Sequence, residues 1–200
     1  MEMTVKCFKN QKKQILDGVD LSKKGSFDVL ISDLICKING HNEYVTTSSC
    51  SGRILLYAHQ NNSERRKQDC TWLYVSHDYI SEEEDELHKK LATSTGEVCL
   101  KFEPFILHVQ CRTIESAKSL QTCALNCGLR NSGLVIGNHG KIILGVRCSN
   151  GMEIPVTDDQ GTVLVRDEYL RFIVMKMNSR MDENKKVISR FESEVDRLLK

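Results

Sequence analysis

Tyr44-Val45-Thr46-Thr47-Ser48-Ser49-Cys50-Ser51-Gly52-Arg53 is a β-prone lead into five small residues and one arginine, after which Ile54-Leu55-Leu56-Tyr57 resumes an apolar strand. Tyr, Val and Thr suit an extended backbone, whereas Ser-Ser-Cys-Ser-Gly lets the main chain approach a ligand closely and supplies hydroxyls and amides. Arg53 adds a fixed cation. The small-residue run therefore reads as the turn of a hairpin or a strand-to-strand corner, where function commonly sits. An ordinary polar turn with an exposed arginine has the same composition, because Ser and Gly dominate turns for conformational reasons.

Before this stretch, residues 4–17 have modest helical character, with Val5, Phe8, Ile15 and Leu16 as a partial apolar stripe and Gly18 as the stop. Asp20 to Ser26 is a polar connector, and Ser26 is a suitable N-cap. Phe27, Leu30, Ile31, Leu34, Ile35 and Ile38 then share one face of a predicted helix that Asn39-Gly40 closes.

After it, Gln60 to Asp69 has no apolar residue and reads as an exposed loop between two strands, its Arg65-Arg66-Lys67 being a solubilising run or an RNA contact. Thr71 to His77 is a predicted strand, and Ser81 with Glu84 makes a capping box for a helix to about Ala92. The acidic block Glu82 to Glu86 has a plain cause, since carboxylates in a first turn favour the positive end of the helix dipole. Glu97 to Phe102 and Phe105 to Cys111 read as strands separated by Glu103-Pro104, and proline cannot donate to a ladder, so a bend, bulge or sheet edge is expected there. Phe105, Leu107, Val109 and Cys111 share one face of the second strand, leaving Ile106, His108 and Gln110 on the other.

Thr113 caps a predicted helix through about Cys127, with Ile114, Ala117, Leu120 and Ala124 inward and Gly128 as the stop. From Leu134 to Val165 strands alternate with Asn138-His139-Gly140, Asn150-Gly151 and Asp158-Asp159-Gln160-Gly161, which predicts an antiparallel meander. Asp167 to Lys200 is expected to be one long helix, on the order of 50 Å. Its first stripe is Leu170, Ile173, Val174 and Met177 and its second Val187, Ile188, Phe191, Val195 and Leu198, with polar Asn178 to Lys186 between them. The first half should pack on the sheet while the second projects or clasps a partner chain. The sum is an α+β fold with an antiparallel or mixed sheet, not a βαβ alternation, in a single domain over residues 1–200.

The 200 residues, 40% of them hydrophobic, suffice for a real core. No apolar run approaches a membrane span, and the N-terminal residues hold no signal-peptide segment, so a cytoplasmic protein is expected. Nine cysteines, an odd number without Cys-x-x-Cys, read as reduced thiols. A net charge of +1 gives no support to a strongly basic nucleic-acid binder, although Lys6, Lys9, Lys12, Lys13, Lys23 and Lys24 crowd the N-terminal segment.

Enzyme templates are mostly excluded. No Gly-x-Gly-x-x-Gly follows a strand and no Walker loop is present, so Rossmann and P-loop sites have no support. Cys50 and Arg53 are too close in sequence for a phosphate cradle. Cys123 and Cys127 lie at i and i+4 of a helix without a second pair at ligand spacing, so no metal site is expected. His77 and His108 each suit a general base near neutral pH, or a hydrogen-bonded structural role.

Several blocks resemble one family. Asp20 to Ser26, Tyr44 to Arg53, Trp72 to His77, Phe102-Glu103-Pro104-Phe105-Ile106-Leu107-His108-Val109-Gln110-Cys111-Arg112 and Gly128 to Gly133 come in the order and spacing of the tRNA wybutosine-synthesizing protein 3 family. So do Val146-Arg147, Gly151 to Pro155 and Met181 to Lys186, and the resemblance runs from about Asp20 to about Phe191. It implies an S-adenosylmethionine-dependent methyltransferase without a Rossmann fold. The implied reaction methylates the N4 ring nitrogen of the tricyclic precursor of wybutosine, next to the anticodon of phenylalanine tRNA.

On that resemblance Ser48, Ser49, Ser51, Gly52 and Arg53 are expected around the cofactor's carboxylate or the substrate's aminocarboxypropyl tail. Either His77 or His108 would accept the ring proton, with Glu103 orienting it or holding the cofactor's ammonium. Arg130, Asn131, Ser132, Arg147 and Lys24 would meet tRNA. The expectation is that the corner at Arg53, the Glu103 to His108 strand and the loop at Arg130 converge. Two alternatives stand beside it: a non-catalytic modified-nucleotide or tRNA-binding module, and purely structural roles for Arg53 and Arg130.

Overall fold

The computed structural model describes residues 5–18, 28–59, 70–81, 85–137 and 140–200. In chain order these form α1 (Val5–Leu16), a 3₁₀ turn (Val29–Ile31), α2 (Ser32–Gly40), β1 (Tyr44–Cys50), β2 (Arg53–His59) and β3 (Cys70–Ser76). There follow α3 (Asp85–Thr93), β4 (Val98–Glu103), β5 (Ile106–Cys111), α4 (Ile114–Asn126), β6 (Gly133–Ile136), β7 (Ile142–Arg147), β8 (Met152–Pro155) and α5 (Asp167–Leu198). The fold is α+β, as expected, with two antiparallel sheets ordered β1-β5-β7-β6 and β3-β2-β4-β8. The chain divides into two compact units: Met1–Ser51, Phe105–Ser149 and Asn184–Lys200 make the first, Gly52–Pro104 and Asn150–Glu183 the second.

In the first unit, strand alternation sends Phe105, Leu107, Val109 and Cys111 into the core, where they join Ile35, Ile38, Leu120, Ala124 and Phe191. The α4 helix starts as its sequence dictates: the Thr113 side chain accepts from the Ser116 N–H and Ser116 answers at the Thr113 N–H, a reciprocal cap. Gly128, at φ +86°, ends it in a conformation that costs glycine nothing.

The apolar face read over residues 27–38 is only partly realised. Ile31, Leu34, Ile35 and Ile38 are buried, but Leu30 is exposed because Val29–Ile31 is a 3₁₀ turn whose three-residue period breaks the helical stripe. Asp28, just before it, makes no side-chain cap; its carboxylate instead accepts the Ser51 N–H at 2.8 Å. Ser26, read as the cap, lies outside the described residues, as do Lys24, Phe27, the loop 60–69, Glu84 and the Asn138-His139 turn.

In the second unit, Ile54, Leu56 and Ala58 of β2 and Val98, Leu100 and Phe102 of β4 face Leu170, Ile173, Val174, Met177 and Met181 of α5. The alternate positions Arg53, Tyr57, Cys99, Lys101 and Glu103 fall on the opposite sheet face, as a two-residue period requires.

Of the two readings of Ser48–Gly52 the strand-to-strand corner holds and the hairpin falls: β1 pairs with β5 while β2 pairs with β3 and β4. Two expectations are corrected. The predicted meander holds only for β6 and β7, since β8 pairs with β4, and of Thr162–Val165 only Val163 pairs, in an isolated bridge with Thr157. The second half of α5 does not project; Ile188, Phe191 and Val195 are buried in the first unit's own core. The polar tract Asn178–Lys186 also hides Met181 and Asn184, both 0% exposed.

Asn184 is buried because its carboxamide satisfies two main-chain groups at once. Its Oδ1 accepts the Phe105 N–H at 2.8 Å and its Nδ2 donates to the Ser51 C=O at 2.7 Å. Replacing it leaves a buried donor and a buried acceptor unpaired. Asn184→Ala is therefore expected to lower stability by roughly 2–5 kcal/mol, read as a drop in the urea midpoint with unchanged slope. A loss below about 0.5 kcal/mol would show that the bridge is not structural.

Candidate functional site

In the first unit, a β-bulge prepares a polar cluster. Thr46 pairs with Val109 and Ser48 with His108, so Thr47 is the extra residue; its Oγ1 donates to the His108 C=O at 3.2 Å. The slip puts Ser48 opposite His108, with Oγ 2.9 Å from Nδ1. On the other side of β5, His108 faces Gly145 of β7. A Cβ there would lie 3.3 Å from Arg147 Nε and 3.4 Å from His108 Cδ2, so glycine leaves the space through which the Arg147 side chain passes. Arg147 Nη2 reaches to 3.4 Å from His108 Nε2.

That pairing assigns the tautomer. A guanidinium only donates, so Nε2 accepts and the proton sits on Nδ1, donating to Ser48 Oγ. Burial first, and the Arg147 charge second, push the His108 pKa below its ordinary 6.5. His108 is thus a neutral imidazole at pH 7, half-buried and held on both nitrogens.

The remaining first-unit candidates divide. Ser132 is buried, its Oγ accepting the Arg147 N–H at 3.1 Å and its C=O accepting from Gln121 at 3.2 Å, so it fixes β7. Arg130 and Asn131, just before it, are exposed. Ser48 is exposed and Ser49 half-buried, whereas Ser51 is buried with its N–H given to Asp28 and its C=O taken by Asn184.

In the second unit, Gly52 has φ +106°, a value that demands glycine, and His77 Nδ1 lies 3.1 Å from its C=O. Arg53 opposes Glu103 in the β2–β4 register and sends both Nε and Nη2 to Glu103 Oε2 at 2.7 Å. Its guanidinium also lies 4.5 Å over the Trp72 ring. The arginine fork read as a ligand holder is therefore filled by an internal carboxylate. Lys101 Nζ sits 2.9 Å from Glu153 Oε2 and 3.7 Å from Glu103 Oε1. Glu153 also accepts the Tyr57 hydroxyl, and that bond, then Lys101, holds its carboxyl below the ordinary carboxylate range. Lys101, Glu103, Pro104, Gly151 and Glu153 line a cavity of about 290 Å³.

The structure thus brings Ser48, His108, Ser132 and Arg147 together in one unit, and Arg53 and Glu103 in the other. Sequence reasoning missed Asp28, Lys101, Gly145, Glu153 and Asn184. Lys101 had a signal in the two-residue period that it shares with Glu103 on the polar face of β4, and Glu153 and Asn184 lay inside blocks that carried the resemblance. No disulfide joins any of the nine cysteines, and burial raises the pKa of Cys123 and Cys127.

A family model described as Methyltransferase TYW3 matches residues 10–197. The chain belongs to the TYW3 methyltransferase family. It is an enzyme, a methyltransferase, and the alternative of a non-catalytic module falls. A relative named tRNA wybutosine-synthesizing protein 3 homolog, from Xenopus laevis, is 46% identical over 187 residues, covering 93% of this chain and 73% of that one. The human protein of the same name is 42% identical over 185 residues, covering 92% and 70%. The tRNA wybutosine-synthesizing protein 3 of Schizosaccharomyces pombe is 35% identical over 209 residues, covering 95% and 87%. Among solved structures, the PH1069 protein from Pyrococcus horikoshii is similar at TM-score 0.84 and 30% identity, covering 96% of this chain and 97% of that one. A hypothetical protein from Aeropyrum pernix is similar at TM-score 0.72 and 27% identity, covering 86% and 98%.

Because the folded pKa of His108 lies below the unfolded value, the unfolded chain takes up the proton more readily. The stability contributed by the neutral ring is fully present above the unfolded pKa of 6.5 and is lost as pH falls from there through the lower folded pKa. An NMR titration is expected to place His108 below 6.5, and Arg147→Met to move it upward by removing the neighbouring cation. An upward-shifted His108 in the unmodified chain would overturn the assigned environment.

Proposed function

We propose that this tRNA methyltransferase of the wybutosine pathway methylates the N4 ring nitrogen of the aminocarboxypropyl-bearing tricyclic precursor in phenylalanine tRNA, using S-adenosylmethionine in the cytoplasm. The observation that carries the reading is His108, a neutral base held between Ser48 and Arg147. Methylating a ring nitrogen requires the removal of its proton, and a histidine kept uncharged near neutral pH suits that task. When bound, S-adenosylmethionine supplies an electrophilic methyl on its sulfonium.

The residues fit an amino-acid-bearing ligand. At the cavity of the second unit, Glu103 and Glu153 offer acceptors for an ammonium and Lys101 a cation for a carboxylate. An α-amino acid end is common to S-adenosylmethionine and to the precursor's tail. Arg53 acts there by holding Glu103 in place, and His77 by securing the backbone at Gly52. In the first unit, Ser48 orients His108 through Nδ1, and Nε2 accepts the proton once the ring nitrogen of the substrate displaces the long 3.4 Å contact from Arg147. The exposed Arg130 and Asn131, with Lys24, contact the RNA, and the Ser49 hydroxyl adds a donor. Ser51 and Gly52 shape the corner, since the Ser51 N–H is already committed to Asp28. Among the described residues no helix is long and apolar enough to cross a membrane, consistent with a tRNA substrate met in the cytoplasm.

The test is methyl transfer from labelled S-adenosylmethionine into precursor tRNA from cells that lack this activity, with the methylated atom located by mass spectrometry. His108→Asn is expected to cut kcat on the order of 100-fold or more while the melting temperature stays unchanged. Wild-type turnover in that variant, or a methyl found on another atom, would overturn the respective assignment.

A further inference from the structure

We propose that His59, Cys70, Glu97 and Cys99 bind a zinc ion at one end of the second unit's sheet. His59 ends β2 and Cys70 begins β3, and the two are register partners. Glu97 precedes β4 and is tied to the same place by the His59 N–H, which donates to its C=O at 2.9 Å. Cys99 follows on β4, opposite Tyr57. β2 and β4 thus bring an imidazole, a carboxylate and a thiol together, and β3 sets the Cys70 thiol against the same imidazole, although the residues are spread over 41 positions of sequence with no ligand motif.

The distances suit a metal. Ligand atoms of His59, Glu97 and Cys99 all lie within 4.8 Å of one another. Cys70 Sγ is 3.6 Å from His59 Nδ1, and Cys99 Sγ is 4.0 Å from Glu97 Oε1. A tetrahedral zinc with bonds of about 2.05 Å to nitrogen and about 2.3 Å to sulfur holds those two atoms about 3.6 Å apart, which the His59–Cys70 pair already matches. Two thiolates with an imidazole favour zinc over magnesium or calcium, which prefer oxygen. The Tyr57 ring, edge-on to His59 at 5.1 Å, limits how the imidazole can turn, as neighbours of metal-bound histidines commonly do. Such an ion would clamp both ends of the segment 60–69. Its role is structural and none of its four ligands is assigned to the methyl-transfer site, although Tyr57 links the two by donating to Glu153, so the metal test does not depend on that reading.

The experiment is metal analysis of the full chain, loaded with zinc and then passed through gel filtration, alongside cobalt substitution read by absorption. The expected result is about one zinc per chain, a thiolate-to-cobalt charge-transfer band, and a melting temperature that falls on adding a chelator. Cys7→Ser with Cys36→Ser should keep all three. Cys70→Ser and His59→Gln, both at half-buried positions, should lose the metal while their circular dichroism stays native; Cys99→Ser alone would not serve, because a buried change can unfold the chain. No retained zinc and no thiolate band in the unmodified protein, or both retained in a Cys70→Ser, His59→Gln double variant, would overturn the proposal.

Discussion

A single buried carboxamide fixes the backbone on which the first unit's polar cluster is mounted. Asn184 joins the Ser51 C=O to the Phe105 N–H, and Asp28 takes the Ser51 N–H, so the end of β1 and the start of β5 are held by groups that have no water to compete for them. Ser48 and His108 lie three residues inward on those strands. Their 2.9 Å approach depends on that anchoring together with the bulge at Thr47. Buried polar groups of this kind rigidify when fully paired and are costly when not, which makes this asparagine a constraint on geometry as much as on stability.

The electrostatics of His108 follow from two neighbours of opposite character. Burial does most to keep the ring uncharged; Gly145 withholds a Cβ and thereby admits the Arg147 guanidinium, and that cation adds to the effect by opposing protonation of the ring it touches. A carboxylate at the same distance would have raised the pKa and left a charged imidazole unable to take a proton at neutral pH. In the second unit the opposite logic rules: Arg53 and Lys101 neutralise Glu103 and Glu153, giving a charge-balanced face.

Much of this was legible in the chain itself. Two-residue alternation on β5 placed His108 on the polar face, Thr113 announced its helix, and the paired apolar stripes announced α5. What failed, failed for nameable reasons. The 3₁₀ turn at Val29–Ile31 and the bulge at Thr47 shift a period by one residue, and no propensity signals either. Asn184 drew no reading of its own because its partners, Ser51 and Phe105, are distant in sequence. The second half of α5 was read as a projecting arm because its apolar stripe has no local partner; it meets strands from residues 105–146 instead. Arg53 was correctly singled out as a fixed cation, yet the carboxylate it holds, Glu103, is known only from strand register.

The chain passes between its two units at Ser51–Gly52, Pro104–Phe105, Ser149–Asn150 and Glu183–Asn184. Neither unit is therefore encoded by an uninterrupted stretch of gene. No single contiguous segment carries either unit whole, so neither can be excised or transplanted without cutting the chain inside the other.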